Sequence, residues 1–243
     1  MPTTLYTGPI HTLHLIEGAK QARGLCVIID VFRAVSLECY LYDRGAAEIR
    51  PVGSVEETLR LHERIPGSVL IGERGGAKIE GFDYGNSPST VPAEAVVGRT
   101  ILHTTSAGTQ GIVNAVHAGE ILAGSLVNAR AIAAYIARRQ PEEVSLVCMG
   151  NAGVAPAQEV ELCAAYIESL LRGQPMEDIA QRAAALQTGG GAHFFDPLRQ
   201  HIYPEADFHL CIRRDVFPFV LRVEKDALGF VSRRVDWENE GDR

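Results

Sequence analysis

The sequence predicts an α/β fold with a largely parallel sheet and helices on both faces. Short apolar runs alternate with helix-like segments along most of the 243 residues, which is the order expected when crossover helices connect parallel strands. The apolar runs are also continuous rather than alternating, as in strands that are buried on both faces. Together these two observations favour a layered α/β architecture.

The first predicted strand covers residues 25–29, which are short, apolar and partly β-branched. Further strands are predicted at 48–52, 69–71, 99–103, 120–123 and 144–149, with short strands between 210 and 235. Helices are predicted at 36–43, 54–65, 110–117, 128–139, 156–172 and 176–187. Ser54 and Glu57 form a capping box at the start of one of these helices.

Pro141, followed by two glutamates, marks a predicted boundary between two parts of the chain. The N-terminal part is an α/β half at 1–140, and the C-terminal part is an α/β half at 141–243. The pattern allows these to be two related halves that together form one functional unit.

Composition excludes several classes of function. The net charge is −7 and no basic stripe is present, so nucleic acid is not an expected partner. The five cysteines include no CxxC pair, which argues against a zinc ribbon or a disulfide framework and favours buried, reduced thiols in the cytoplasm. No signal peptide and no apolar run long enough to span a membrane is visible.

Four polar segments follow predicted strands and should meet at the edge of a parallel sheet where ligands bind. They begin at Asp30, Glu73, Thr104 and Gly150. Residues 104–109 lead into a helix N-terminus, and their amides, hydroxyls and glycine suit a phosphate. The alternative is that the Thr and Ser side chains only cap the helix.

Asp30 ends an apolar strand, where an unpaired carboxylate is too costly to bury. Either it forms a salt bridge with Arg33, or it binds a metal or acts as a nucleophile while the Arg33 guanidinium binds phosphate. The glycine-rich run at 72–88 is equally open, since it suits both a surface loop and a close backbone approach to a ligand.

The histidines offer fewer candidates, because no HExxH pattern is present. His103 is expected to be a hydrogen-bonded structural residue, whereas His193, after three glycines, could cover part of a site. His11 and His14 lie in a segment without further ligand types.

Taken together, these segments resemble the 2-phosphosulfolactate phosphatase (ComB-like) family, in the same order along most of the chain. The matching positions are 29–34, 72–74, 78–83, 86–88, Thr104, Thr105, Gly108, Thr109, Gly124, Ser125, Asn128, Glu159, Cys163, Asp207, Phe208, Cys211 and Asp215. The run from 72 to 88 is the most specific of these matches.

The resemblance implies a Mg²⁺-dependent phosphatase that acts on a small phosphorylated acid. Its substrate would be 2-phosphosulfolactate and its products 3-sulfolactate and phosphate, on a route toward coenzyme M. The implied catalytic residues are Asp30, Arg33, Glu73 and Arg74; the implied substrate-binding residues are Asn86, Ser87, Thr104, Thr105, Gly108 and Thr109; and the implied metal ligands are Asp30, Glu73, Asp83 and Glu159. A homodimer is kept as a hypothesis for the assembly.

Two positions depart from the family pattern. Ala107 stands where asparagine is expected, and Val160 stands where a second acid should follow Glu159. Glu161 is a poor substitute, because two residues along a helix it faces away. The alternative is therefore a non-catalytic relative that binds a phosphorylated or sulfonated metabolite. A haloacid-dehalogenase-type phosphatase is disfavoured, since no second aspartate lies two residues after Asp30.

Overall fold

The computed structural model describes residues 5–236 and arranges ten strands in one sheet. The strands are β1 (Ile10–His14), β2 (Leu25–Ile29), β3 (Glu48–Pro51), β4 (Val69–Arg74), β5 (Ala77–Lys78), β6 (Thr100–Thr104), β7 (Glu120–Gly124), β8 (Val144–Cys148), β9 (Val220–Asp226) and β10 (Gly229–Val235). The helices are α1 (Leu15–Gln21), α2 (Ala34–Asp43), α3 (Val55–Arg64), α4 (Ala93–Val96), α5 (Gly108–Asn114), α6 (Ala129–Arg139), α7 (Gln158–Leu171), α8 (Ile179–Ala185) and α9 (Glu205–Cys211).

The sheet consists of two parallel blocks joined by an antiparallel hairpin. Its order is β1-β8-β2-β7-β9-β10-β3-β6-β4-β5. The first block is β1, β8, β2 and β7, and the second block is β3, β6 and β4. The β9–β10 hairpin lies between them and pairs antiparallel on both sides. The prediction of an α/β fold with a largely parallel sheet is confirmed, although the sheet is mixed.

The twist of the sheet explains how the two blocks can share a site. Three antiparallel pairings separate the blocks, so in a flat sheet their carboxyl ends would lie on opposite edges. Neighbouring strands rotate by about 20–25°, and the five pairings from β2 to β6 therefore rotate the strand direction by roughly 100°. The helix α5, which follows β6, accordingly packs against β2 of the first block.

Helices cover both faces of the sheet, as predicted. Alternate residues of β2 enter different clusters: Val27 and Ile29 pack in the cluster that includes residues of α6 and α7, whereas Cys26 and Ile28 pack in the cluster that includes residues of α1 and α5. Burial on both sides explains why this strand is apolar throughout. All five cysteines are buried, which confirms the prediction that these thiols lie in the interior.

Two parts of the chain differ from their predicted structure. Residues 10–21 form β1 and α1, which were not predicted, because this edge strand carries polar, exposed residues such as His11 and Thr12. Residues 205–211 form α9, which was not predicted, so the tail of strands predicted between 210 and 235 begins later and reduces to one hairpin.

Strands from the two sides of the predicted boundary at 140 alternate within the sheet. β8 lies between β1 and β2, and the β9–β10 hairpin lies between β7 and β3. The division into two related halves remains a prediction. Within residues 5–236, no helix has both the length and the apolar character that a bilayer crossing requires.

Candidate active site

The loops that follow β2, β4, β6 and β8 line one cavity of about 520 Å³. Five of the predicted site residues lie in its wall: Asp30, Arg33, Glu73, Asn86 and Glu159. Three of the four predicted metal ligands therefore share a single cavity, although they come from distant parts of the chain.

Asp30 lies at the end of β2 and is almost fully buried. Its Oδ1 accepts a hydrogen bond of 3.3 Å from the amide of Ala34, at the start of α2. A Cβ atom on Gly108 would come within 2.9 Å of Asp30 Oδ2, so the glycine permits this close approach. The amide of Gly108, at the start of α5, also bonds to this carboxylate.

The environment of Asp30 disfavours a negative charge. Burial is the largest of the causes that raise its pKa to about 7; the charges of Glu73 and Glu159 act in the same direction, and the Ala34 and Gly108 amides act against them. Two backbone donors are therefore not enough to compensate for burial near other carboxylates. A cation at this position would supply the missing positive charge.

Glu73 is held by backbone amides from two loops. One oxygen accepts from the Ser106 amide at 2.7 Å, and the other accepts from the Gly76 amide at 2.7 Å. These bonds join the β4–β5 turn to the loop after β6. The carboxylate is therefore fixed in position before any ligand arrives.

Glu159 lies on α7 and is buried to the same extent as Glu73, each being 7% exposed. Its Oε2 has no hydrogen-bond partner in the described part of the chain. Burial raises the pKa of this carboxyl group. Gly190 leaves room for it, since a Cβ atom there would lie 2.8 Å from Oε2.

These three carboxylates fit a divalent cation. They offer only oxygen donors, which Mg²⁺ prefers, and the unpartnered Glu159 oxygen and the raised pKa of Asp30 both indicate a missing positive charge. Their oxygens are not all within 4.8 Å of one another in the described residues. In this arrangement an ion would contact at least one of Asp30, Glu73 and Glu159 through water, and Mg²⁺ usually keeps several waters.

Arg33 pairs with Asp207 rather than with Asp30, so the predicted alternative of an Asp30–Arg33 salt bridge is wrong. Its guanidinium lies 3.0 Å from the Asp207 carboxylate and donates to the Gly76 carbonyl at 2.9 Å. Ser87 supports the same pair by donating to Asp207 at 2.9 Å. These contacts hold the guanidinium in place at the cavity wall. Ser87 contributes by bonding to Asp207 and not to the guanidinium itself.

Asn86 reaches the cavity from a buried polar cluster. Its Oδ1 lies 3.2 Å from His103 Nε2, and His103 Nδ1 lies 2.9 Å from Glu38 Oε1. All three side chains are buried. The expectation that His103 is a hydrogen-bonded structural residue is confirmed.

Several predicted site residues lie outside the cavity wall. Arg74 donates to Thr104 Oγ1 at 3.0 Å, and Thr105 and Thr109 bond to each other's amides, which closes the turn before α5. Asp83 is exposed and accepts from the Leu70 amide at 2.8 Å. The structure therefore does not bring Asp83 together with the other three predicted ligands.

Two further cavity residues, Arg199 and Tyr203, were not predicted from the sequence. They line the wall, with the Arg199 guanidinium 4.6 Å from the Tyr203 ring centroid. His193 also lines it, as its position after three glycines suggested. Burial lowers the pKa of His193, and the charges of Arg199 and Arg33 lower it further. The wall of the cavity thus contains both carboxylates and guanidinium groups.

The two departures from the family pattern differ in position. Ala107 lines the cavity, so the side chain that replaces asparagine faces the site. Val160 is 1% exposed and packs in the hydrophobic core. Glu161 does not line the cavity, in agreement with its predicted orientation away from Glu159.

Comparison with known proteins identifies the family. The 2-phosphosulpholactate phosphatase family model matches residues 10–226. A Deinococcus radiodurans protein named "Probable 2-phosphosulfolactate phosphatase" is 36% identical over 69% of this chain and 71% of its own length. A Carboxydothermus hydrogenoformans protein of that name is 36% identical over 72% and 80%, and one from Bacillus subtilis is 25% identical over 93% and 96%. The chain belongs to the 2-phosphosulfolactate phosphatase family.

Proposed function

We propose that this protein hydrolyses 2-phosphosulfolactate to 3-sulfolactate and phosphate, with Mg²⁺ as cofactor. The observation that carries the proposal is the presence of both kinds of charge in one cavity. Asp30, Glu73 and Glu159 line it together with Arg33 and Arg199. A substrate with phosphate, carboxylate and sulfonate groups needs both a cation bound by carboxylates and separate cationic side chains.

When bound, Mg²⁺ would neutralise phosphate charge and polarise the phosphoryl oxygens. Asp30, Glu73 and Glu159 are the residues that would hold it. Arg33 would stabilise the equatorial oxygens in the transition state, because Asp207 and the Gly76 carbonyl already orient its guanidinium. Preorganised donors of this kind need no rearrangement during the reaction.

Asp30 is the candidate nucleophile if the reaction passes through a phosphorylated enzyme. The amides of Ala34 and Gly108 hold its carboxylate in one orientation. If water attacks instead, Asp30 is the residue best placed to hold the ion. Both routes require an ionised Asp30, so both predict that the amide variant Asp30→Asn fails.

The exposed Arg199 is the candidate for binding the sulfonate or carboxylate group of the substrate. It lies in the wall of the cavity and stacks on Tyr203. A planar guanidinium suits an oxyanion. We place the reaction in the cytoplasm and on a route toward coenzyme M. A homodimer remains a prediction, which light scattering after gel filtration can test.

Ala107 supports a second candidate function, a non-catalytic relative that binds the same class of metabolite, because this departure faces the cavity. Phosphate release from 2-phosphosulfolactate and from an aryl phosphate, with Mg²⁺ and with chelator, separates the two. We expect release with Mg²⁺ and loss of release with chelator. Binding of the metabolite without metal-dependent turnover of either ester would overturn the enzyme proposal.

The matched control for this assay is Asp83→Asn. Asp83 belongs to the same predicted ligand set but is exposed and outside the cavity. We expect Asp83→Asn to retain turnover and Asp30→Asn to lose it. Equal losses in both folded variants would contradict the assignment of the cavity as the active site.

A further inference from the structure

A second group of ligating side chains lies at the ends of β1 and β8. His14, Cys148 and Glu161 each bring one donor atom to within 4.8 Å of the others. His14 and Cys148 are register partners on the two parallel strands, so their side chains leave the sheet on the same side. Glu161 approaches from the first turn of α7. No other trio of such side chains within residues 5–236 converges as closely.

We propose that these three side chains bind a single Zn²⁺ ion. Zinc accepts imidazole, thiolate and carboxylate ligands at about 2.0–2.3 Å. Tetrahedral bonds of that length place two donor atoms about 3.3–3.7 Å apart. His14 Nε2 lies 3.1 Å from one Glu161 oxygen and 3.3 Å from the other, so only small side-chain shifts are needed.

The chemistry of the donors separates this cluster from the cavity. A thiolate and an imidazole favour a borderline-soft ion, whereas Mg²⁺ requires oxygen ligands. His14 and Glu161 are partly exposed, with side chains 48% and 41% accessible. Solvent can therefore reach the fourth coordination position, while buried Cys148 supplies the inner ligand.

Cys148 must lose its proton to bind a metal. Its thiol is directed toward α7, where it donates to the Val160 carbonyl at 3.5 Å. Metal binding would replace this hydrogen bond with a metal–sulfur bond. Binding would release the thiol proton, as at other cysteine metal sites.

The position of the cluster suggests a structural role for the ion. Cys148 leads directly into Gly150 and Asn151 in the cavity wall, and Glu161 follows Glu159 by two residues. An ion at this point would join β1, β8 and the first turn of α7. It would thereby fix the side of the cavity where Glu159 has an unpartnered oxygen. The zinc proposal does not depend on the phosphatase activity.

The competing interpretation is an ordinary histidine–carboxylate pair next to a buried thiol. The same strand contains such a pair without a cysteine: His11 Nε2 lies 3.5 Å from Glu143, and its side chain is exposed to a similar degree. His11 is therefore the matched control for His14. A metal site requires that only the pair beside the thiol binds the ion tightly.

Cobalt(II) titration of the full-length protein tests the proposal, because a cobalt–thiolate bond produces a near-ultraviolet charge-transfer band and carboxylates do not. We expect one equivalent of Co²⁺ to produce this band in the wild type and in His11→Gln. Zn²⁺ should displace the cobalt and abolish the band. In His14→Gln and Cys148→Ser, the band should be lost or the affinity should fall at least tenfold.

His14→Gln keeps the test decisive if Cys148→Ser does not fold, since His14 is on the surface. Cys163→Ser controls for buried thiols in general and should retain the band. Binding of Co²⁺ without the band in the wild type would overturn the proposal. Equal binding by wild type and His14→Gln would also overturn it.

Discussion

The two sides of the cavity hold equally buried carboxylates in different ways. On one side, Asp30 and Glu73 accept hydrogen bonds from backbone amides in the loops that follow β2, β4 and β6. On the other side, Glu159 leaves one buried oxygen without a partner in the described residues. Its 7% exposure is the same as that of Glu73. Burial alone therefore does not distinguish the two glutamates, whereas their hydrogen bonds do.

This difference suggests separate contributions to binding an ion. The amide-held side is rigid in the absence of ligand, because each carboxylate is tied to backbone that the sheet positions. Glu159 pays the desolvation cost of burial without compensation. A cation would relieve that cost, so we expect ion binding to stabilise the α7 side more than the side held by backbone amides.

Asp30→Asn should have the largest effect on activity. We expect Mg²⁺-dependent phosphate release to fall by at least about 100-fold, the scale for loss of one positioned catalytic group. The fold should persist, because the amide can still accept from the Ala34 backbone. Steady-state kinetics and circular dichroism check both parts. Near-normal rates in the folded variant would remove Asp30 from the active site.

In chelator-treated protein, the free energy of unfolding should depend on pH because the pKa of Asp30 is raised. A pKa of about 7 against an ordinary 3.8 means that this group favours folding most below pH 4 and that its contribution is lost as pH rises through 7. Asp30→Asn should therefore be more stable than wild type at pH 8, by up to about 4 kcal/mol, and the two should converge near pH 4. Urea unfolding across this range measures the difference. A difference independent of pH would contradict the burial argument.

Glu73→Gln and Glu159→Gln should separate the two sides directly. Glu73→Gln replaces one accepting oxygen with an NH₂ group that faces an amide, so it should cost about 1–3 kcal/mol of unfolding free energy. Glu159→Gln removes a buried charge and should leave stability of the metal-free protein unchanged or higher. Its Mg²⁺ affinity should nevertheless fall. Equal destabilisation by the two substitutions would contradict the proposed difference between Glu73 and Glu159.

Gly76→Ala and Gly75→Ala provide the smallest and most local test of the amide-held side. Both glycines have positive φ, at 84° and 60°, which costs an L-residue about 1 kcal/mol. A Cβ atom at Gly76 would lie 1.9 Å from the Tyr203 hydroxyl, whereas Gly75 has no atom within 4 Å. Thermal unfolding should show the larger loss for Gly76→Ala, and KM should rise only in that variant. Equal effects would contradict a role for the Tyr203 contact.

The sequence contained enough information to identify part of the site. Asp30 and Glu73 directly follow or end apolar strands, and the carboxyl ends of parallel strands converge, so their proximity was predictable. Asp83 was grouped with them because it lies in the same glycine-rich run. In the structure the chain turns back after β5, and Asp83 bonds to Leu70 instead. Closeness in sequence was misleading at that position.

Other features depend on contacts between distant segments. Arg33 suggested a pair with Asp30 three residues away, but its partner Asp207 comes from α9, which was not predicted. Arg199 and Tyr203 lie in an irregular segment without hydrophobic periodicity, so no local pattern indicated that they reach the cavity. Similarly, nothing in the segment around His14 indicated that Cys148 and Glu161 lie beside it.

A crystal structure with Mn²⁺ in place of Mg²⁺ would show whether these carboxylates bind the ion, because the anomalous signal of Mn²⁺ locates it. We expect one strong peak in the cavity, at about 2.0–2.3 Å from oxygens of Asp30 and Glu159, with Glu73 completing the site directly or through water. The peak should be absent in Glu159→Gln at the same ion concentration. A peak elsewhere, or none in the cavity of protein that hydrolyses the substrate with Mn²⁺, would contradict the account.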